Sequence, residues 1–308
     1  MSERSSIQIL GPREVPLGGL RAMTVRRTLP QRERSLIGGW CFLDHYGPDP
    51  VADSGGMLVT PHPHTGLQTV SWLFTGEIDH VDSAGNAATV RPGELNLMTA
   101  GRGISHSEVS TPETRVLHGA QLWVALPSGS RFVEPGFEHY APPVVSGHRW
   151  QARVFLGSLF GSTSPVTSYS PLLGVEIVLA PSARLVVPLD SAYEHGILLD
   201  TGDLIVDDVT VMESELAYAE PGSTSLTLTT RAGARLLLLG GEPLGEQIVM
   251  WWNFIGRSDE EIRGFRAAWQ AQLGDGQQMQ DGDFGVVAGG LPPIPAPELP
   301  TVRLKPRR

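Results

Sequence analysis

Short apolar runs alternate with polar positions along most of this chain, and glycine and proline break the runs at close intervals. That period of two, rich in β-branched and aromatic residues, predicts strands rather than helices. "LRAMTVRRTLP" sets Leu20, Met23 and Val25 against polar partners. "TVSWLFTGEIDHVDSAGNAATV" holds two strand-like runs around an "SAGN" turn, and "GELNLMTAG" and "VLHGAQLWVALP" add two more. Residues 131–149, "RFVEPGFEHYAPPVVSGHR", have no steady period and read as a connection. A second strand-rich block runs from about 150 to 252. The expected organisation is all-β: one barrel over 1–130, the connection over 131–149, and a second barrel over 150–308.

One stretch departs from the period of two. In "SDEEIRGFRAAWQAQLG", Ser258 and Glu261 have the spacing of a capping box. Ile262, Phe265, Trp269 and Leu273 fall on one face, and Gly274 is suited to end the helix. The expectation is a packing helix over 259–273. The prolines of "GLPPIPAPELPTVRLKP" exclude regular helix or central strand, so the tail should be extended.

A faint internal repeat supports two copies of one β module. A shift of 126 residues lays "TGEI" at 75–78 on "TGDL" at 201–204. The same shift lays His62 on Pro188, His64 on Asp190 and Gln68 on Glu194.

Composition narrows the function. The 308 residues suggest two domains at roughly 100–200 residues each. A net charge of −10 argues against a broad nucleic-acid-binding face, and the basic end "RLKPRR" reads as a solvated tail. With a single cysteine, Cys41, no intramolecular disulfide can form, and its apolar neighbours suit a buried, inert thiol. The opening "MSERSSIQIL" lacks the apolar core of a signal peptide, and no run is long enough to span a bilayer. The default expectation is a cytoplasmic protein with no membrane partner.

Chemistry concentrates in two short motifs. "TPHPHTG" places His62 and His64 two residues apart, and "ISHSEVS" does the same for His106 and Glu108. On extended backbone, residues i and i+2 face the same way. Each pair therefore presents both side chains in one direction, and the intervening residues suffice to return the chain beside its start. All four should converge inside a barrel, with Gly101 and Gly103 permitting the tight path that aims His106 inward. Three imidazoles and a carboxylate suit Fe(II), Mn(II), Ni(II), Cu(II) or Zn(II) and suit Mg(II) or Ca(II) poorly. Four protein ligands on an octahedral ion leave two positions open. His45, His80, His139 and His148 sit in polar or turn-like contexts and are expected at the surface. His118 could face the cavity or simply pack, and His195 has no partner at ligand spacing. No dinucleotide, P-loop, G-x-S-x-G or H-E-x-x-H motif is present.

These motifs resemble the cupin superfamily and, within it, the pirin family. Gly56, five residues and His62-Pro-His64 match the first cupin motif, and Gly93 opens the second. "FLDHYGP", "TPHPHTGLQTVSWLFTGEIDHVDSAGN", "MTAGRGISHSE", "QLWVALP", "LLLLGGEPLGEQIVMWWNF" and "PAPELPTVRLKP" extend the resemblance over essentially the whole chain. It implies a bicupin of two double-stranded β-helix barrels, with one C-terminal helix and a Pro-rich tail. The N-terminal barrel would hold one divalent metal through His62, His64, His106 and Glu108; the C-terminal barrel would hold none. Iron is the metal implied first, with Mn, Ni, Cu, Co or Zn as alternatives. The implied activity is quercetin 2,3-dioxygenase-like: O2 opens a flavonol or related chelating enol and carbon monoxide leaves, with Glu108 as candidate catalytic base. The implied alternative is an iron-dependent, redox-sensing module that binds an unidentified protein partner, as a transcription co-regulator does. Two positions depart from the family: Gln68 stands where Glu is usual, and Thr65 where Arg is common. The first leaves Glu108 as the carboxylate for base chemistry.

Overall fold

The computed structural model describes residues 7–17, 23–274 and 278–307. Leu20, Arg308 and the "MSERSS" opening lie outside the described residues. Among the described residues regular structure is almost all strand, with a four-residue helical turn at Val51–Ser54 and one longer helix at Asp259–Leu273. No helix among the described residues is long and apolar enough to cross a membrane.

Two compact units form, and neither is a continuous stretch of chain. One gathers residues 15–25, 46–139 and 245–308; the other gathers 1–14, 26–45 and 140–244. The boundaries expected from the sequence, 1–130 and 150–308, therefore differ from those of the folded units. In particular, helix Asp259–Leu273 and the Pro-rich tail belong to the unit built on 46–139, not to the second barrel.

In the first unit, strands Leu58–His64, Ile104–Ser110, Ile78–Asp82 and Ala87–Val90 form one sheet in that order. Leu95–Thr99, Leu67–Thr75 and Val116–Ala125 lie side by side in another. Side chains from the two sheets meet: Ser71 on one reaches Glu108 on the other. Met57, Val59, Leu73, Ile78, Val90 and Leu117 pack into an apolar cluster in this unit. Gly101 has φ +51, and a Cβ there would strike the Val133 carbonyl, so the turn entering Ile104–Ser110 requires glycine.

Helix Asp259–Leu273 starts where the capping residue predicts. Ser258 accepts from the Glu261 amide at 3.2 Å. The Glu261 carboxylate takes the Arg257 amide and the Arg131 guanidinium rather than the Ser258 amide, so only half of the capping box is made. Ile262, Trp269 and Leu273 are buried with Phe254 and Phe284, while Phe265 is only partly covered. The tail is extended and docked. Ile294 donates to the Pro61 carbonyl, Trp269 Nε1 donates to the Ile294 carbonyl, and Leu304 donates to Asp259. Arg303 pairs with Glu260.

The second unit repeats the sheet pair. Leu216–Ala219, Glu194–Gly202, Ala234–Gly241, Leu172–Leu179 and Trp150–Leu156 are consecutive neighbours in a seven-stranded sheet. Arg184–Pro188, Ser225–Thr229, Leu204–Val206 and Val209–Val211 form the other. Strand Arg184–Pro188 begins 126 residues after Leu58–His64 (184 − 58 = 126), the shift read from the sequence. Its interior is aliphatic: Val175, Ile177, Leu185, Val187, Ile197, Leu199, Leu226, Leu228, Leu236 and Leu238 form one buried cluster. Segment 26–45 packs within this unit, where Trp40 Nε1 donates to the Leu173 and Gly240 carbonyls. Cys41 is fully buried.

Candidate metal centre

Strand register assembles the polar cluster. His62 and His106 are direct cross-strand partners, and His64 lies opposite Ile104. On the other edge of Ile104–Ser110, His106 faces Asp82 and Glu108 faces His80. A register shift between His106 and Glu108 breaks the ladder to Leu58–His64 at this point. Three pairs spaced i, i+2 therefore share one face: His62 with His64, His106 with Glu108, and His80 with Asp82.

The three imidazoles of His62, His64 and His106 bring their nearest ligand atoms within 4.8 Å of one another. Ring centroids are 4.4 Å apart for His62 and His106, and 5.0 Å for each of the other two pairs. All three are buried. Burial pushes the His62 imidazole down to about 4, against the pull of its bond to Thr60. His64 and His106 are held well below the ordinary value, first by burial and then by their neighbouring imidazoles. Neutral, lone-pair-bearing rings result at neutral pH.

The outer nitrogens settle which lone pair faces inward. His62 Nδ1 lies 2.9 Å from the Thr60 carbonyl and His64 Nδ1 lies 3.2 Å from the Asn253 carbonyl. A carbonyl only accepts, so both Nδ1 atoms carry the proton and both Nε2 atoms are bare. His106 Nδ1 lies 3.3 Å from His80 Nδ1, whose Nε2 lies 3.3 Å from the Asp82 carboxylate. Asp82 can only accept, so His80 carries a proton on Nε2; in its neutral form the ring then has a bare Nδ1 that accepts from His106. With that tautomer assignment the Nε2 atoms of His64 and His106 face each other at 3.1 Å as two lone pairs. Two lone pairs at that distance repel unless a cation lies between them. The donor set thus fits a transition metal ion.

Glu108 completes a second convergent group with His106 and His80. Burial raises its carboxyl above the usual range, opposed by His80 and by the Ser71 hydroxyl. Ser71 lies 3.0 Å from Glu108 and 2.9 Å from the Gln121 side chain. A hydroxyl has one proton to give. With the Gln121 amide turned to donate, that proton is left for Glu108.

A row of side chains continues from the cluster. Gln121, Ser71 and Asn96 are neighbours across three strands, as are Trp123, Thr69 and Met98. Trp123 meets His64 edge-on at 5.1 Å, and Phe137 stacks on His80 at 4.9 Å. His139 reaches Asn96 at 2.6 Å. Aromatic walls and amide groups therefore border the imidazoles.

Two histidines differ from the sequence expectation. His80 and His45 were expected at the surface, and both are buried. His80 is buried because it pairs with Glu108 across the strand and with Asp82 along it. His45 is buried against Asp200, at 2.7 Å, and Ser214, at 3.1 Å, both remote in sequence. His139 and His148 are exposed as expected. His118 packs edge-on against Phe74 at 5.0 Å. Gln68 points away from the cluster: it is paired with Thr99 and bonded to its hydroxyl at 3.0 Å, on the strand face opposite Ser71. Glutamine at this position therefore removes no group that touches the imidazoles. Thr65 is buried, and its carbonyl accepts from Ile255 at 3.1 Å. The readable signal for His80 was the spacing of "HVD", a third i, i+2 pair between the other two.

Comparison with known proteins agrees with this architecture. Residues 22–124 match the Pirin family, and residues 174–273 match the Pirin C-terminal cupin domain. A Pseudomonas aeruginosa protein named "Putative quercetin 2,3-dioxygenase" is 44% identical over 269 residues, covering 86% of this chain and 84% of its own. Human Pirin is 28% identical over 274 residues, covering 82% and 92%. A crystal structure described as quercetin 2,3-dioxygenase from Acinetobacter baumannii superposes with a TM-score of 0.89 at 35% identity, covering 97% of both chains. With its two cupin domains and this likeness along nearly its whole length, the chain belongs to the pirin family.

Proposed function

We propose that this protein is a metal-dependent dioxygenase acting on a flavonol such as quercetin or a related chelating enol, with one divalent metal, iron first, held by His62, His64, His106 and Glu108. The observation that carries the reading is the convergence of the buried His62, His64 and His106, with the Nε2 atoms of His64 and His106 3.1 Å apart and Glu108 in a second group that shares His106. The names of the Pseudomonas and Acinetobacter relatives supply the substrate class.

When bound, the ion supplies Lewis acidity towards an enol oxygen and one-electron chemistry towards O2. The remaining work falls to side chains. Glu108, raised above the ordinary carboxyl range by burial, is suited to take the proton of the substrate hydroxyl. Ser71 holds that carboxylate in place. Trp123 and Phe137 offer aromatic faces to a planar polyphenol. Gln121 and Asn96 offer amide groups to its remaining hydroxyls.

The test is O2 uptake and carbon monoxide release by iron-loaded protein with quercetin and a small flavonol panel. Matched consumption and release, lost in His62→Ala, is the expected result. Absence of both from a fully loaded protein, with His62→Ala indistinguishable, would remove the enzyme reading and leave a metal without turnover.

A further inference from the structure

The three imidazoles differ in what holds them from behind. His62 and His64 each give their outer proton to a backbone carbonyl, Thr60 and Asn253. His106 alone gives it to a side chain, His80, which is backed in turn by a carboxylate. Asp82 is itself firmly held. It accepts from the backbone amides of Ala84 at 2.9 Å and Asn86 at 3.0 Å, and from the Asn86 side chain. Burial opposes its charge, but the bonds from His80 and Asn86 outweigh that and keep the carboxyl below its usual range. Phe137 stacks on the His80 ring and fixes its plane.

We propose that His80 and Asp82 are positioning residues for the metal, forming a carboxylate–imidazole–imidazole line that fixes the His106 tautomer and makes its Nε2 a stronger donor. The inference rests on the reading of His62, His64, His106 and Glu108 as metal ligands. The physical reason is polarisation. A proton shared towards an anion leaves more electron density on the far nitrogen, whereas a carbonyl partner draws it less. His80 cannot be replaced by a purely space-filling ring in this role, because the line needs an acceptor at the position of its Nδ1. A partner behind a metal-ligating histidine is worth about 10–100-fold in metal affinity. An anionic partner also favours the more highly charged ion, so the pair should lower the Fe(III)/Fe(II) midpoint potential.

The test uses full-length protein and three variants: His80→Phe, His80→Gln and Asp82→Asn. Co(II) affinity is measured by chelator competition, the iron midpoint potential by redox titration, and folding by the melting temperature of the metal-free forms. His80→Phe should bind Co(II) about 10–100-fold more weakly. His80→Gln, whose amide oxygen can accept from His106, should recover most of that loss. Asp82→Asn should bind with intermediate affinity and show a more positive midpoint potential. Equal affinity and potential in wild type and His80→Phe would overturn the proposal, as would equal loss in His80→Phe and His80→Gln. A second metal equivalent that disappears with His80→Phe would also overturn it, since His80 would then be a ligand. If the wild-type protein binds no Co(II) or iron, the metal-site reading itself fails, an outcome distinct from all of these.

Discussion

The two barrels are built on one plan and filled with opposite chemistry. In the first, the paired strands Leu58–His64 and Ile104–Ser110 bury His62, His64 and His106 as one group, and Glu108 forms a second with His106 and His80. In the second, the corresponding pair Arg184–Pro188 and Ser225–Thr229 buries Leu185, Val187, Leu226 and Leu228 in an aliphatic core. The backbone does not decide between these fillings. Inward positions of a small barrel need only be filled; which residues fill them decides whether the interior is a packed core or a site. An interior of imidazoles is a poor core, because each buried polar atom needs a partner, and the Thr60, Asn253 and His80 contacts supply one to each outer nitrogen.

The comparison breaks most severely where a ligand is removed. His64→Ala should weaken metal binding by more than about 100-fold, beyond the usual loss for a partner behind a ligand. It should also abolish turnover while leaving the metal-free melting temperature close to wild type; chelator competition and calorimetry check the two arms. The reciprocal change in the second barrel should strike stability instead. Leu236 is fully buried on the Ala234–Gly241 strand, and Leu236→Ala should cost about 2–5 kcal/mol in urea unfolding, with metal content unchanged.

Acid should destabilise both barrels, the first more, because His64 and His106 are held well below the ordinary value there as well. His62 in the first and His195 in the second are both pushed down to about 4, each first by burial. Unfolding returns them to the ordinary value of about 6.5, so between about 4 and 6.5 the unfolded chain binds protons that the folded chain does not. Their stabilisation is complete above about 6.5 and is lost as pH falls towards 4. Each histidine should contribute about 1.4 kcal/mol per pH unit within that window. Urea midpoints of chelator-treated protein at stepped pH measure the slope; a flat profile over the window would contradict it.

The smallest effect concerns Ser71. The bond from Ser71 opposes the burial that raises Glu108. Ser71→Ala should therefore raise the Glu108 carboxyl further and move the acidic limb of the rate profile to higher pH. Turnover near neutrality should fall only several-fold, in keeping with the loss of one hydrogen bond of about 1 kcal/mol. Metal content should hold.

What could be read in the sequence was local. The i, i+2 spacing of His62 with His64 and of His106 with Glu108 needs only extended backbone, and helix Asp259–Leu273 carries both of its end signals, Ser258 and Gly274, in adjacent sequence. What could not be read was register and return. His80 belongs to the cluster because Ile78–Asp82 pairs with Ile104–Ser110 so that His80 meets Glu108, a pairing that no property of "DHVDS" dictates. Gln68 looked costly because the family usually carries Glu there, yet strand parity turns it away from the histidines. The return of residues 245–308 to the first unit rests on scattered bonds, such as Ile294 to Pro61 and Asn253 to His64. A proline-rich tail carries no periodic signal for such docking.

The most direct test of the central claim is the metal content per chain of three proteins purified from the same iron-supplemented culture: wild type, His106→Ala and His195→Ala. The account predicts one metal in wild type, none in His106→Ala and one in His195→Ala, whose histidine lies in the aliphatic barrel. Metal retained by His106→Ala, metal lost from His195→Ala, or none in wild type would contradict it.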